Sequence, residues 1–142
     1  MRFAYPVDVL AEPDGMTITC ADVPGMITGG WPDLASSLDA ARDALALALS
    51  DRVDQGQPLP LPGDAGGRPV VAVPVLAAAK LALHEAKFAL HLTNTEIGRR
   101  LGIGEREVRR ILDVTHNSRM NQVEAALRAL GRTLVVESEA AA

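Results

Sequence analysis

Thr93-Asn94-Thr95-Glu96-Ile97-Gly98-Arg99-Arg100-Leu101-Gly102-Ile103-Gly104-Glu105-Arg106-Glu107-Val108-Arg109-Arg110-Ile111-Leu112 is the stretch from which the rest of the chain is read outward. Thr93 followed three residues later by Glu96 is a capping box and marks a helix start. Ile97 and Leu101 stand four apart and share an inward face. Gly98 falls where two helices cross closely and a small residue is needed. Gly102 tolerates the left-handed backbone that lets the chain turn between helices at about 90–120°. Ile103 plugs that turn, and Val108 and Ile111 form the inward face of a second helix over Glu105 to Asp113.

This order of cap, small residue, turn glycine and plug predicts a helix-turn-helix with an arginine-rich outer face. Arginine bonds guanine bidentately in the major groove and neutralises phosphate elsewhere. The candidate DNA contacts are Thr95, Gly104, Glu105, Arg106, Arg109 and Arg110, with Asn117 and Arg119 from the polar segment after the second helix. Ser118 or Asn121 is equally a candidate cap for a further helix over about Asn121 to Leu130, which Gly131 would stop. The competing reading is a plain αα-hairpin whose arginines are only solvated. Gly104 leaves the second helix without the hydroxyl that often opens a recognition helix. Glu105 and Glu107 also weaken attraction to phosphate, so a single copy is a poor DNA binder and a symmetric pair reading two half-sites is expected.

Upstream, Leu76 to Leu92 carries an apolar stripe at Leu76, Ala79, Leu83, Ala86 and Leu90, widened by Leu81 and Phe88. Lys80, His84, Glu85 and Lys87 within it argue against a membrane span. Before this helix come Val70-Val71-Ala72-Val73 and the run Gly56 to Pro69, with four prolines and four glycines in fourteen residues. That composition reads as a partly extended, partly flexible connector.

The first part of the chain alternates with period two. Phe3, Tyr5, Val7 and Val9 would share one face of a strand, Glu12-Pro13-Asp14-Gly15 has turn chemistry, and Met16, Ile18 and Cys20 share a face of a second strand. Met26 to Gly30 is a short third strand. Asp33 then caps a helix with a stripe of Leu34, Leu38, Ala41, Leu45, Ala48 and Leu49, while Asp39 and Asp43 lie off it. The expected fold is therefore α+β: residues 1–57 a small ββ(β)α domain, 58–69 a linker, 70–142 an all-α helix-turn-helix domain ending in a weakly alternating strand over Thr133 to Glu137. A core from about 55 residues is marginal, so a partner or an oligomer is expected.

Charge divides along the same line. Residues 1–68 carry four basic and ten acidic side chains, a net of −6, and residues 69–142 carry ten and eight, a net of +2. The lone Cys20 cannot form an internal disulfide and reads as a buried thiol. No secretory signal precedes the first strand, so a cytoplasmic protein is expected. His84, His91 and His116 have no cysteines at ligand spacing, and no phosphate-binding loop occurs, so no metal, cofactor or catalytic residue is expected. Asp8, Glu12, Asp14 and Asp22 are the one acidic group that invites a nuclease reading, against which stands a solvated acidic edge.

Tyr5-Pro6, Glu12 to Gly15, Thr17-Ile18-Thr19, Asp22-Val23-Pro24-Gly25, Thr28-Gly29-Gly30, Ala40-Ala41, Ala44-Leu45 and Gly56 to Pro60 together resemble the HicB family of antitoxins, in its helix-turn-helix variety. The chain departs from that pattern at Met26, where a cysteine is common, and in its short first hairpin. The resemblance implies a partial RNase H-like N-terminal domain without nuclease activity. This domain would bind and block HicA, a small mRNA-cleaving toxin, while the C-terminal domain binds operator double-stranded DNA as a homodimer or homotetramer and represses the operon. An acidic first domain suits a basic RNA-binding partner. The other functions open at this point are a repressor with a ligand-sensing N-terminal domain and an RNase H-like metal-dependent nuclease.

Overall fold

The structure, a computed structural model, describes residues 1–140. Its elements in chain order are β1 (Ala4–Pro6), β2 (Asp8–Glu12), β3 (Gly15–Thr19), β4 (Ile27–Trp31), α1 (Leu34–Asp54), β5 (Val70–Ala72), α2 (Val75–Ala89), α3 (Asn94–Leu101), α4 (Glu105–Leu112) and α5 (Met120–Ala129). The protein is thus mixed α+β. No helix of the described residues is long and apolar enough to cross a membrane.

β2, β3 and β4 form an antiparallel sheet in that order. Glu12 pairs with Gly15, leaving Pro13-Asp14 as a two-residue connection. Gly15 has φ +133, and a Cβ there would lie 2.8 Å from the Trp31 carbonyl oxygen, so both the turn and the close approach of β4 require glycine. Asp33 starts α1 by accepting a bond from the Ser36 amide at 2.7 Å, which also holds its carboxyl below the usual range.

The first strand departs from the expectation of one ribbon from Phe3 to Val9. It divides at Val7: Tyr5 pairs with Val71 across β1 and β5, whereas Val9 pairs with Ile18 across β2 and β3. Phe3, Tyr5 and Val7 are buried, but Val9 is exposed. The physical reason is that β1 is covered by chain arriving from beyond the proline-glycine run, while β2 is a sheet edge with all five residues open to water.

That run is not a loose connector either. Tyr5 Oη donates to Pro60 O at 2.8 Å, the Gly63 amide donates to Asp22 Oδ2 at 2.9 Å, and Val7 N donates to Pro69 O at 2.9 Å. Prolines leave few amides to satisfy, so a handful of bonds is enough to pin an extended segment along the surface. Burial pushes the Tyr5 hydroxyl well above its ordinary pKa.

Two apolar cores meet on α2. The first gathers Tyr5, Ile18, Leu45 and Leu49 with Val71, Ala77 and Leu81; the second gathers Leu83 and Ala86 with Ile97, Val108, Ile111, Val123 and Leu127. A helix buried on both sides must be apolar nearly all round, which is why Leu81 lies outside a single stripe. Phe88 and Leu90, expected within that stripe, are exposed because α2 ends at Ala89 and its last turn overhangs both cores. The thin core expected for residues 1–57 is completed by β5 and α2 from the other side of the linker.

After α5, Gly131 takes φ +77 and stops the helix. The strand expected over Thr133 to Glu137 is not formed: among the described residues the segment pairs with no strand.

Candidate nucleic-acid interface

α3 and α4 form a compact pair whose geometry follows from three glycines and a cap. Thr93 Oγ1 accepts from the Glu96 amide at 3.2 Å and lies 3.1 Å from Glu96 Oε1, which starts α3. Gly102 ends it at φ +68, ψ 32. Ile103 N then donates back to Gly98 O at 3.0 Å, stapling the turn onto the helix it leaves. Gly98 is buried, and a Cβ on it would meet the Ile103 carbonyl oxygen at 2.8 Å. Alanine normally stabilises a helix interior by about 1 kcal/mol over glycine. Here the clash involves backbone, and overpacking costs about 1–3 kcal/mol. Gly98→Ala is expected to lower stability by up to about 2 kcal/mol in urea unfolding, the overpacking less the gain in helix propensity; a stabilised variant would contradict this packing.

α4 turns Val108, Ile111 and Leu112 inward. Glu105, Arg106, Arg109 and Arg110 are all exposed on the rest of its surface, and among the described residues none of these three arginines is in an ion pair. Thr95 on α3 and Gly104 at the start of α4 are exposed, as are Asn117 and Arg119 beyond it. Gly104 caps α4 without any side-chain bond. Arg99 and Arg100, in the last turn of α3, add two exposed cations outside the expected set. Asp113, expected as the last residue of the second helix, instead follows α4 as its cap and folds back, Oδ1 accepting from Thr115 N at 3.0 Å and Thr115 Oγ1 at 2.8 Å, which lowers its pKa.

Neither expected cap of the last helix serves as one. Arg119 occupies that place without a side-chain bond, and Ser118 is engaged elsewhere. Its hydroxyl accepts from Lys80 Nζ at 2.8 Å. Lys80 is fully buried, and its ammonium also lies 3.1 Å from Arg110 O, 2.7 Å from Asp113 O and 2.6 Å from His116 O. A cation from α2 thus closes the carbonyl end of α4, where the helix dipole favours it. Desolvation lowers the Lys80 pKa, opposed by Asp113. Sequence reasoning missed this residue; the available signal was a lysine four residues after Leu76 on an otherwise apolar helical face.

His84, one turn further along α2, adds a second tie. Nε2 lies 2.6 Å from Leu112 O, so the ring donates there. Burial, the largest influence, lowers its pKa below 6.5. The folded protein therefore resists a proton that the unfolded chain takes up, so stability is lost as pH falls below about 6.5, by at most about 1.4 kcal/mol per pH unit. His84→Gln, which keeps a donor, should flatten the melting-temperature difference between pH 7 and pH 5; an unchanged difference would assign the effect elsewhere.

The acidic group of the first domain does not converge. Asp22 holds the Gly63 amide, Glu12 accepts from Thr17 Oγ1 at 3.1 Å, and Asp8 lies 3.6 Å from Arg68. Among the described residues no group of three or more His, Cys, Asp or Glu side chains is placed to hold a metal ion. Cys20 is buried, its thiol directed at Pro6 O at 3.4 Å, and burial raises its pKa.

No family profile matches the chain. It is 37% identical over 144 residues to Antitoxin HicB of Pseudomonas fluorescens (strain Pf0-1), covering 99% of this chain and 97% of that protein. The chain belongs to the HicB family of antitoxins. Antitoxin HicB of Escherichia coli (strain K12) is 30% identical over 132 residues, 92% of this chain and 95% of the relative. Antitoxin HicB 2 of Photorhabdus laumondii subsp. laumondii is 31% identical over 130 residues, covering 92% of each. The likeness to HicB antitoxins thus runs through both cores and is not confined to the sheet or to the helices.

Proposed function

We propose that this HicB-family antitoxin has two working ends. Residues 1–57, read as a partial RNase H-like unit, engage a small HicA-type ribonuclease. Residues 70–142 carry a helix-turn-helix that binds the operator of the pair's own operon, and residues 58–69 join the two ends in the cytoplasm. The observation that carries the DNA reading is the outer face of α4, where Arg106, Arg109 and Arg110 stand exposed and, among the described residues, without carboxylate partners. Free guanidinium groups on a short helix held by a turn suit insertion into a major groove, with α4 as the reading helix.

The toxin reading is supported by the free edge of β2. Val9 and Leu10 are exposed there, with Asp8, Glu12 and Asp14 alongside. Apolar side chains ringed by carboxylates complement a basic RNA-binding partner: the charges speed and orient encounter, and the apolar groups hold the complex. Among the described residues no carboxylate trio is placed to hold a metal ion, so none of them supports a nuclease of this chain's own.

Two readouts test the proposal. Co-expression with the small basic protein encoded beside it should restore growth, and purified chain should shift DNA from upstream of its own reading frame. Growth that is not restored refutes the toxin-binding end. Robust magnesium- or manganese-dependent cleavage of nucleic acid by the chain alone would replace the non-enzymatic reading.

A further inference from the structure

Beside the overhanging last turn of α2 lies an open cleft of about 570 Å³. One wall is the start of the proline-glycine run, with Leu59 and Leu61, and the other is α2, with Phe88. Leu61 and Phe88 are 75% and 58% exposed, so apolar side chains face water here inside a concavity. A concavity of this volume, where two units of a fold meet, has the size and setting of a small-molecule site. Its rim carries polar groups of mostly one kind. Lys87 and Arg132 set two cations against one carboxylate, Glu85, and His84 and His91 add imidazoles. We propose that the cleft binds a small free carboxylate with an aliphatic tail, the tail lying between Leu61 and Phe88 and the carboxylate among Lys87, His91 and Arg132.

The backbone at the rim supplies a separate argument. His91 has φ +53 and is the one non-glycine residue with positive φ among the described residues. It holds the place after a helix that glycine usually takes: His91 N donates to Phe88 O at 3.2 Å and Leu92 N to Lys87 O at 3.1 Å, the paired bonds of a left-handed stop. Gly131 fills the corresponding place after α5 without strain. An imidazole kept where glycine would be relaxed points to work for its side chain. Lys87 is positioned as well, since Nζ donates to Asn94 Oδ1 at 2.6 Å and keeps two further protons for an acceptor. Charge then selects the class of ligand. An alkylammonium would meet like charge, an uncharged tail would leave these donors to water, and a polyanion would set charge against Val53, Leu59 and Leu92. The inference uses neither the operator reading nor the toxin reading.

Titration of the full chain with octanoate, followed by amide shifts in nuclear magnetic resonance, tests the site. Saturable shifts are expected at Leu61, Phe88 and His91. Octanoate should bind about tenfold tighter than 1-octanol, which has the same tail without the charge, and octylammonium should bind more weakly still. His91→Gly is the deciding variant because it relaxes the backbone. Its melting temperature should rise while its octanoate affinity falls by at least about threefold. A His91 with a structural role alone would give the rise and keep the affinity. Phe88→Asp, at a position already in water, should weaken octanoate by at least about tenfold with the circular dichroism unchanged. The proposal is overturned if octanoate gives no saturable shifts, if 1-octanol binds equally well, or if His91→Gly keeps the parent affinity. A dimer that Phe88→Asp splits and octanoate leaves intact would assign the cleft to a second copy, and would overturn it too.

Discussion

Changing Arg106 and Arg109 together to alanine is expected to lower operator affinity by at least about a thousand-fold while toxin neutralisation stays intact. Each bidentate arginine–base contact carries about 1–3 kcal/mol of discrimination, and about 1.4 kcal/mol is a factor of ten. Two such residues in each of two half-sites therefore come to about 4 kcal/mol at the low end, close to a thousand-fold, and exceed it above that. Both side chains are exposed and make no ion pair among the described residues, so their removal leaves the fold unchanged. If they reach phosphates instead of bases, the loss will be uniform across DNA sequences and the salt dependence of binding will flatten. Mobility shifts at two salt concentrations separate these outcomes. Simultaneous loss of growth rescue would refute the division of labour between the two ends.

Lys80→Met is expected to cost about 3 kcal/mol and to weaken operator binding as a consequence. Methionine preserves most of the apolar stem but leaves the carbonyls of Arg110, Asp113 and His116 and the Ser118 hydroxyl without their shared donor. Each buried acceptor left unmade costs about 1–3 kcal/mol, and the partly exposed end of α4 lets water recover some of that. For a chain of this length the melting temperature should fall by about 10 °C. Lys80→Arg should not rescue it, because a planar fork cannot direct its donors at acceptors converging on one point. A Lys80→Met protein within about 1 kcal/mol of the parent would show that the carbonyl cluster is satisfied without this ammonium.

The α3–turn–α4 unit was legible in the chain because everything that shapes it lies within twenty residues. Thr93, Gly98 and Gly102 act on neighbours close in sequence, through a cap bond, a backbone contact and a left-handed turn. The same holds for Asp33 at the head of α1 and for Pro13-Asp14 between β2 and β3. Lys80 was not legible, since its partners lie 30 to 38 residues away and nothing local distinguishes it from a solvated lysine. The Ser118 cap failed for the same reason, a distant ammonium holding Ser118 in place, whereas Asn121 falls inside α5, which starts at Met120.

Residue pattern alone determined the types of the elements up to α5, the α+β class, the position of the arginine face and the resemblance to the family to which the chain belongs. Period and turn chemistry are local, and they act before any tertiary contact forms. Only the tertiary structure decided that the first strand breaks at Val7, that β5 returns to pair with β1, and that α2 serves two cores at once. Those choices depend on which distant surfaces compete to bury the same apolar side chains. A composition such as that of Gly56 to Pro69 reports only that the chain leaves regular structure, whereas Tyr5 and Asp22 determine where it is pinned.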